Sequence, residues 1–425
     1  MYEFVLIILL WIGALVFFIL AYLINKDTKE IEIYTSNEDL LPGVNQPTTY
    51  KEYVEEEYAE KMLYWNEKSI DNTYYAFRIF AILWGNEQRK IYNRENDWME
   101  LHNFIKRKSN FDIDNCKLFI NTLYVSEYGG FKQSLKAIDT VYSTRLATLI
   151  DKYYYNGNLF TDNQKQKMIK YILDFKTLIP PNGIGFRDSV IKDIPKLTVT
   201  YGAFQTLRYL TGEESKEIEK KIYKFIMTLW NKKNGYFSDY LGEDKPKICC
   251  LHFALKSLQQ IDKLEYQKFI KNNRKIIIDY LKSTWIKEKG FEGFAPSFDY
   301  KFLSIPHTRY ALECLNLIYD PDNSSDCFKI DVIKKFEDDS GIKEIKKKIC
   351  KSLEDLYNEE KEGFPFVKND SPSLVATYSA LQIMNVLNES EWIKTRQDNI
   401  LSFLKSCRKE NAYIGYPIPQ IVLVH

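Results

Sequence analysis

The sequence predicts an all-α protein whose helices close into a ring, with apolar helices as an inner barrel and charged helices as an outer wall. Three observations carry that prediction. A turn of glycine beside an aromatic recurs at Gly130-Phe131, Gly185-Phe186, Gly235-Tyr-Phe237, Gly290-Phe-Glu-Gly-Phe294, Gly363-Phe-Pro-Phe366 and Gly415-Tyr416, and the successive first glycines stand 55, 50, 55, 73 and 52 residues apart. An apolar helix start follows each turn: Thr144-Arg-Leu-Ala147, Thr200-Tyr-Gly-Ala203, Leu251-His-Phe-Ala254, Thr308-Arg-Tyr-Ala311 and Thr377-Tyr-Ser-Ala380, four of which have Thr three before the Ala. A charged amphipathic stretch such as Glu214–Trp230 or Tyr266–Trp285 then leads to the next glycine, and no convincing strand alternation interrupts.

A unit of this kind cannot bury both of its helices alone, so neighbouring units must cover one another. The glycines permit tight or left-handed turns. Counting Asp71–Trp84 as the first, six inner helices are expected, with Lys51–Lys68 as an outer one; the segment after Gly415 has no helix and is expected to close the ring. The longest interval holds a polar insert, Asp320–Asp326.

Ahead of the ring, Phe4–Ile24 is an unbroken apolar run of 21 residues, long enough at 1.5 Å per residue to span a bilayer core of about 30 Å. It lacks the basic start and small-x-small site of a cleaved signal and predicts a single-pass transmembrane helix. Glu3 on one side and Lys26 and Lys29 on the other place the body on the cytoplasmic side. The expected domains are a membrane anchor (1–26), a Pro- and Gly-bearing linker (27–49) and the helical ring (50–425). Lys plus Arg (59) balance Asp plus Glu (58), which gives no general field for nucleic acid. No Gly-rich phosphate loop or Gly-x-Ser-x-Gly elbow is present.

The residues richest in chemistry sit in two neighbouring helix starts, Lys247-Ile-Cys-Cys-Leu-His-Phe-Ala-Leu255 and Ile305-Pro-His-Thr-Arg-Tyr-Ala-Leu312. Superposed on their shared Ala-Leu, Cys250 and His307 fall four before the Ala and His252 two before it. Thiolate and imidazole are zinc ligands, and three of them leave a fourth position for water or substrate. Residues two apart share no face in mid-helix, so such a site requires an irregular start, which Pro246 and Pro306 would favour. The alternative is that Cys250 is a small core hydrophobe and both histidines are hydrogen-bonded residues of inner helices.

The repeat from about Gly129 onward resembles that of the prenyltransferase and squalene-cyclase superfamily, with Gly-Gly-Phe131 followed by Asp139-Thr-Val-Tyr-Ser-Thr144 as its best match. The resemblance implies an α/α toroid of about six inner and six outer helices whose central cavity binds an isoprenoid or lipid-like substrate. In protein prenyltransferase β subunits, to which the site layout is most similar, an Asp and a Cys two apart and a His of the next repeat hold zinc. The matching positions here are Cys250, His252 and His307. Lys247 matches a diphosphate-binding lysine; Asp244 stands where an arginine is expected and Leu197 where a histidine is expected. The resemblance further implies that Lys247 and Arg309 face a diphosphate or other anion, that Tyr201, Phe253 and Tyr310 line the cavity, and that a protein partner like the α subunit exists. Related toroids also act as non-catalytic binding domains, so a protein-binding scaffold at the membrane is the competing expectation.

Overall fold

The computed structural model describes residues 67–88, 94–111, 113–190, 194–212, 216–288, 291–300, 302–322, 331–366, 370–410 and 412–415, all within one compact unit, Thr48–His425. The apolar run Phe4–Ile24, the linker and most of Lys51–Lys68 lie outside the described residues. Among those described, no helix is long and apolar enough to cross a membrane.

The first half of the body comprises α1 (Ile70–Gln88), α2 (Arg94–Ser109), α3 (Ile113–Thr122), α4 (Val141–Tyr154), α5 (Asp162–Asp174), α6 (Leu197–Thr211) and α7 (Lys216–Thr228). The second half comprises α8 (Ile248–Ile261), α9 (Lys263–Ser283), α10 (Ile305–Tyr319), α11 (Asp331–Ser340), α12 (Ile345–Leu356), α13 (Leu374–Val386), α14 (Ser390–Thr395) and α15 (Gln397–Ser406). Helices α1, α4, α6, α8, α10 and α13 pack side by side in that order, and α13 returns to α1, which closes the inner barrel. The amphipathic helices, among them α5, α7, α9, α12 and α15, form the wall outside it. Helix α11 lies within the longest repeat interval and packs on α9 and α10, so that interval holds more than a polar loop.

The all-α expectation needs one correction. Short antiparallel hairpins follow outer helices: β1 (Phe131–Lys132) with β2 (Asp139–Thr140), β3 (Lys176–Ile179) with β4 (Gly183–Phe186), β5 (Trp230–Asn231) with β6 (Tyr236–Phe237), β7 (Trp285–Glu288) with β8 (Phe291–Phe294), and β9 (Arg408–Lys409) with β10 (Ala412–Tyr413). Strands of two to four residues are too short to show alternation in a sequence.

The first four hairpins carry the glycine-aromatic turn. Gly235 sits at φ +78°, and a Cβ there would lie 2.3 Å from the Ile276 carbonyl oxygen on α9, so the turn requires glycine. The repeated threonine explains itself at this junction. Its Oγ1 accepts from the backbone N–H of the turn's aromatic: Thr144 from Phe131 (3.0 Å), Thr200 from Phe186 (2.9 Å), Thr308 from Phe294 (3.1 Å) and Thr377 from Phe364 (3.0 Å). A second bond links each unit to the next. The first N–H of an inner helix reaches a carbonyl two residues beyond the next aromatic: Ile70 to Gln133, Val141 to Asp188, Leu197 to Asp239, Ile248 to Pro296 and Leu374 to Gly415. Helix starts leave such N–H groups without partners of their own, and here the following unit supplies them.

The same chemistry closes the ring. Ser69 N–H donates to the Tyr413 carbonyl (3.2 Å) and Tyr413 N–H to Thr73 Oγ1 (3.4 Å), and Thr73-Tyr-Tyr-Ala76 repeats the Thr-x-x-Ala spacing on α1. The chain's last hairpin therefore bonds to its first described helix.

Candidate functional site

Because all six inner helices start at the same end of the barrel, their equivalent positions form rings. The threonine position faces the hairpins. The residue after it turns about 100° around the helix and faces the lumen. There the ring reads Tyr74, Arg145, Tyr201, His252, Arg309 and Tyr378, joined by Tyr75, Phe253 and Tyr310 from the following position and Arg78 from one turn further along α1.

These side chains meet across the barrel. Tyr201 stacks on Phe253 (centroids 4.8 Å apart), Phe253 meets Tyr310 edge to face (5.4 Å), and His252 lies 5.1 Å from Tyr310. The Arg145 guanidinium sits 5.0 Å over Tyr201, and that of Arg309 sits 4.3 Å over Tyr310 and 5.0 Å over Tyr378. Arg78 Nη2 donates to Tyr378 Oη at 3.2 Å. Three arginines thus share three tyrosines pairwise. Tyr74 lies within reach of Arg78 and Arg145, Tyr310 of Arg145 and Arg309, and Tyr378 of Arg309 and Arg78.

Guanidinium groups stay charged in a protein, and burial makes their neutralisation by counter-ions valuable. The carboxylate beside them is Glu313, with Oε1 3.8 Å from Arg309 Nε and Oε2 3.1 Å from His252 Nε2. Asp71, bonded by Ser69 and Gln133, stands at the start of α1 beside Tyr75 and Tyr142. Burial holds the His252 ring well below the usual histidine range, and Lys256, Arg309 and Arg145 add to that effect. The ring is therefore neutral at physiological pH, with Nε2 turned to the Glu313 carboxylate. The buried His252 Nδ1 and Arg309 Nε have no hydrogen-bond partner. An aromatic interior with three cations, in which the buried Arg309 Nε–H has no hydrogen-bond partner, can take an anion flanked by apolar surface.

The substrate-lining residues expected from the sequence, Tyr201, Phe253, Tyr310 and Arg309, are thus brought together. Lys247 is not among them: it caps the start of α8 and lies 3.6 Å from Glu243, an ion pair at the mouth. Arg78, Arg145 and Tyr378 were missed. Arg145 occupies the same repeat position as Arg309, which was a usable signal; at the position of Arg78 the other units carry Leu149, Gln205, Lys256, Glu313 and Gln382.

The three expected zinc ligands do not converge. Helix α8 is regular from Ile248, so Cys250 and His252 point about 160° apart, to nearly opposite faces. Cys250 is wholly buried beside Cys249, and both are free thiols. His252 faces Glu313, whereas His307 Nδ1 is 2.7 Å from Ser304 Oγ and its ring meets Cys249. Among the described residues, no group of three or more His, Cys, Asp or Glu could hold a metal ion. These side chains do not fit the zinc set that the resemblance implied.

Cys249, rather than Cys250, is the thiol with chemical potential. Its contact with Cys250, followed by those with His307 and Lys247, holds it below the usual thiol range against the opposing effect of burial, while Cys250 is pushed up. Cys249 is half-buried and can carry a thiolate at neutral pH.

A family model described as the prenyltransferase alpha-alpha toroid domain matches residues 132–245, 238–342 and 327–418. Among solved structures, Candida albicans protein geranylgeranyltransferase-I complexed with GGPP is similar at 15% identity and a TM-score of 0.47, over 84% of this chain and 94% of that one. The type II terpene cyclase MstE from Scytonema, in its apo form, is similar at 10% identity and a TM-score of 0.40, over 75% and 88%. No curated protein matches the sequence.

Proposed function

Since the chain belongs to the prenyltransferase alpha-alpha toroid family, we propose that its lumen binds an amphiphilic anion, an isoprenoid or similar lipid with a phosphate, diphosphate or carboxylate head. The observation that carries this reading is the set of three guanidiniums, Arg78, Arg145 and Arg309, set among stacked aromatic rings with Glu313 as the adjacent carboxylate. The arginines suit the head because guanidinium forks match phosphate and carboxylate oxygens, and Tyr201, Phe253 and Tyr310 suit the apolar chain. Zinc has no part in this reading. A single-pass anchor at Phe4–Ile24, with the body on the cytoplasmic side, would raise the local concentration of a ligand drawn from the bilayer.

The test is equilibrium binding of geranylgeranyl diphosphate, geranylgeranyl phosphate and geranylgeraniol to the purified full chain in detergent micelles. The two anions are expected to bind and the alcohol to bind at least tenfold more weakly. Equal binding of all three, or binding of none, would overturn the proposal. A second reading, a non-catalytic scaffold for a protein partner, is favoured by how closely the lumen side chains already fill one another's faces, as in the 4.3 Å contact of Arg309 with Tyr310. Binding of no anion at all would support it.

A further inference from the structure

Of the lumen residues named above, two keep a buried polar atom without a hydrogen-bond partner, and the two atoms are of opposite kind. Arg309 Nε–H is a donor; His252 Nδ1 is the other. The residues are 9% and 8% exposed, so little bulk water reaches them. They are close neighbours. The Arg309 guanidinium lies 4.3 Å over the Tyr310 ring and the His252 ring 5.1 Å from it, while Glu313 approaches both, with Oε1 3.8 Å from Arg309 Nε and Oε2 3.1 Å from His252 Nε2.

Glu313 decides what His252 can do. A neutral imidazole carries one hydrogen, and a carboxylate beside Nε2 favours the form that carries it there. Nδ1 then presents a lone pair, and burial keeps the ring from taking a second proton. A buried acceptor of this kind gains nothing from an anionic group, which offers only lone pairs of its own. An ammonium would donate, but the guanidiniums of Arg78, Arg145 and Arg309 repel a cation. A hydroxyl is uncharged, and it both accepts from a guanidinium and donates to an imidazole.

We propose that the head of the ligand bears a hydroxyl beside its anionic group, and that this hydroxyl donates to His252 Nδ1 while the anion takes the guanidiniums. The inference rests on the lumen reading and narrows it, from amphiphilic anions in general to hydroxylated ones. His252 is the residue that selects them. A head without the hydroxyl would seal Nδ1 from water unpaired, and that loss is what makes a buried acceptor selective.

Equilibrium binding of 2-hydroxyhexadecanoate and of hexadecanoate to the full chain in detergent micelles tests it. The two acids share a chain and a carboxylate and differ by one hydroxyl. The parent protein is expected to bind the hydroxy acid about tenfold more tightly, the worth of one hydrogen bond in a buried site. That ratio should fall to near one in His252→Leu, which has no acceptor, and persist in His252→Asn, whose side-chain oxygen accepts. A variant that merely loosened the fold would weaken both acids together and leave the ratio unaltered. Equal binding of the two acids by the parent, or an unchanged ratio in His252→Leu, would overturn the inference and leave the lumen reading standing. Binding of neither acid would overturn the inference as well, and it would count against the lumen reading only if the prenyl anions also fail to bind.

Discussion

Adjacent positions on the inner helices differ in what they repeat. Five helices carry a threonine at Thr73, Thr144, Thr200, Thr308 and Thr377, each binding a hairpin N–H, whereas the next residue is tyrosine, arginine, tyrosine, arginine and tyrosine in turn. In the remaining unit Leu251 replaces the threonine and His252 follows it. The repeated position bonds unit to unit and makes the ring. The varied one points inward and gives the lumen its charge, its aromatic faces and its one neutral imidazole. Repetition thus marks the scaffold, and its breakdown one residue later marks the site.

The comparison can be sharpened first through cysteine reactivity, where the largest contrast is expected. Cys249, beside Cys250 and His307, is held below the usual thiol range, whereas burial pushes Cys350 on the outer helix α12 up to about 12. At neutral pH Cys249 should carry the larger thiolate fraction, so iodoacetamide should alkylate it faster than Cys350, followed by peptide mass spectrometry. Similar rates would remove the His307–Cys249 contact from the account.

Next come the lumen arginines. Arg145→Gln and Arg309→Gln should each weaken anion binding on the order of tenfold to a hundredfold, since a hydrogen bond to a charged group contributes about 1.5–3 kcal/mol, while leaving the unfolding midpoint nearly unchanged. Thr308→Val should do the opposite. It strands the Phe294 N–H and costs about 1–3 kcal/mol in denaturant unfolding, with little direct effect on ligand affinity. If the two kinds of variant behave alike, scaffold and site are not separate.

A smaller effect is expected from pH. The folded-state pKa of His252 is depressed, so the unfolded chain binds a proton at this residue that the folded protein does not. Stability should therefore fall as pH drops below about 6.5, by up to about 1.4 kcal/mol per unit from this group. Unfolding midpoints between pH 7 and 5 should show a shallower slope for His252→Gln than for the parent; equal slopes would mean that the ring is not held neutral.

Much of the scaffold was legible because its signals are local. A glycine beside an aromatic and a threonine three before an alanine can be read from neighbouring letters, and they predicted the inner helices Asp71–Trp84 and those after it. The hairpins were illegible because strands such as Trp230–Asn231 are two residues long. The zinc set failed for a geometric reason: aligning repeats on Ala-Leu fixes a position along the helix but not which of two neighbours faces across. One residue turns a side chain by about 100°, and that turn exchanges Cys250 for Cys249 beside His307. The lumen was half legible. Arg309, Tyr201, Phe253 and Tyr310 stood in the repeat blocks, but Arg78 reaches Tyr378 from a different helix, 300 residues away in sequence, and only the closed ring brings them together.

The most direct test of the central claim is to find where a bound ligand lies. A prenyl diphosphate carrying a diazirine at the end of its chain, irradiated in complex with the full protein, should label Tyr201, Phe253 or Tyr310, and the labelling should fall when Arg145 and Arg309 are both replaced by glutamine. Labelling confined to the outer helices, or unchanged in the double variant, would contradict the account of the lumen as the site.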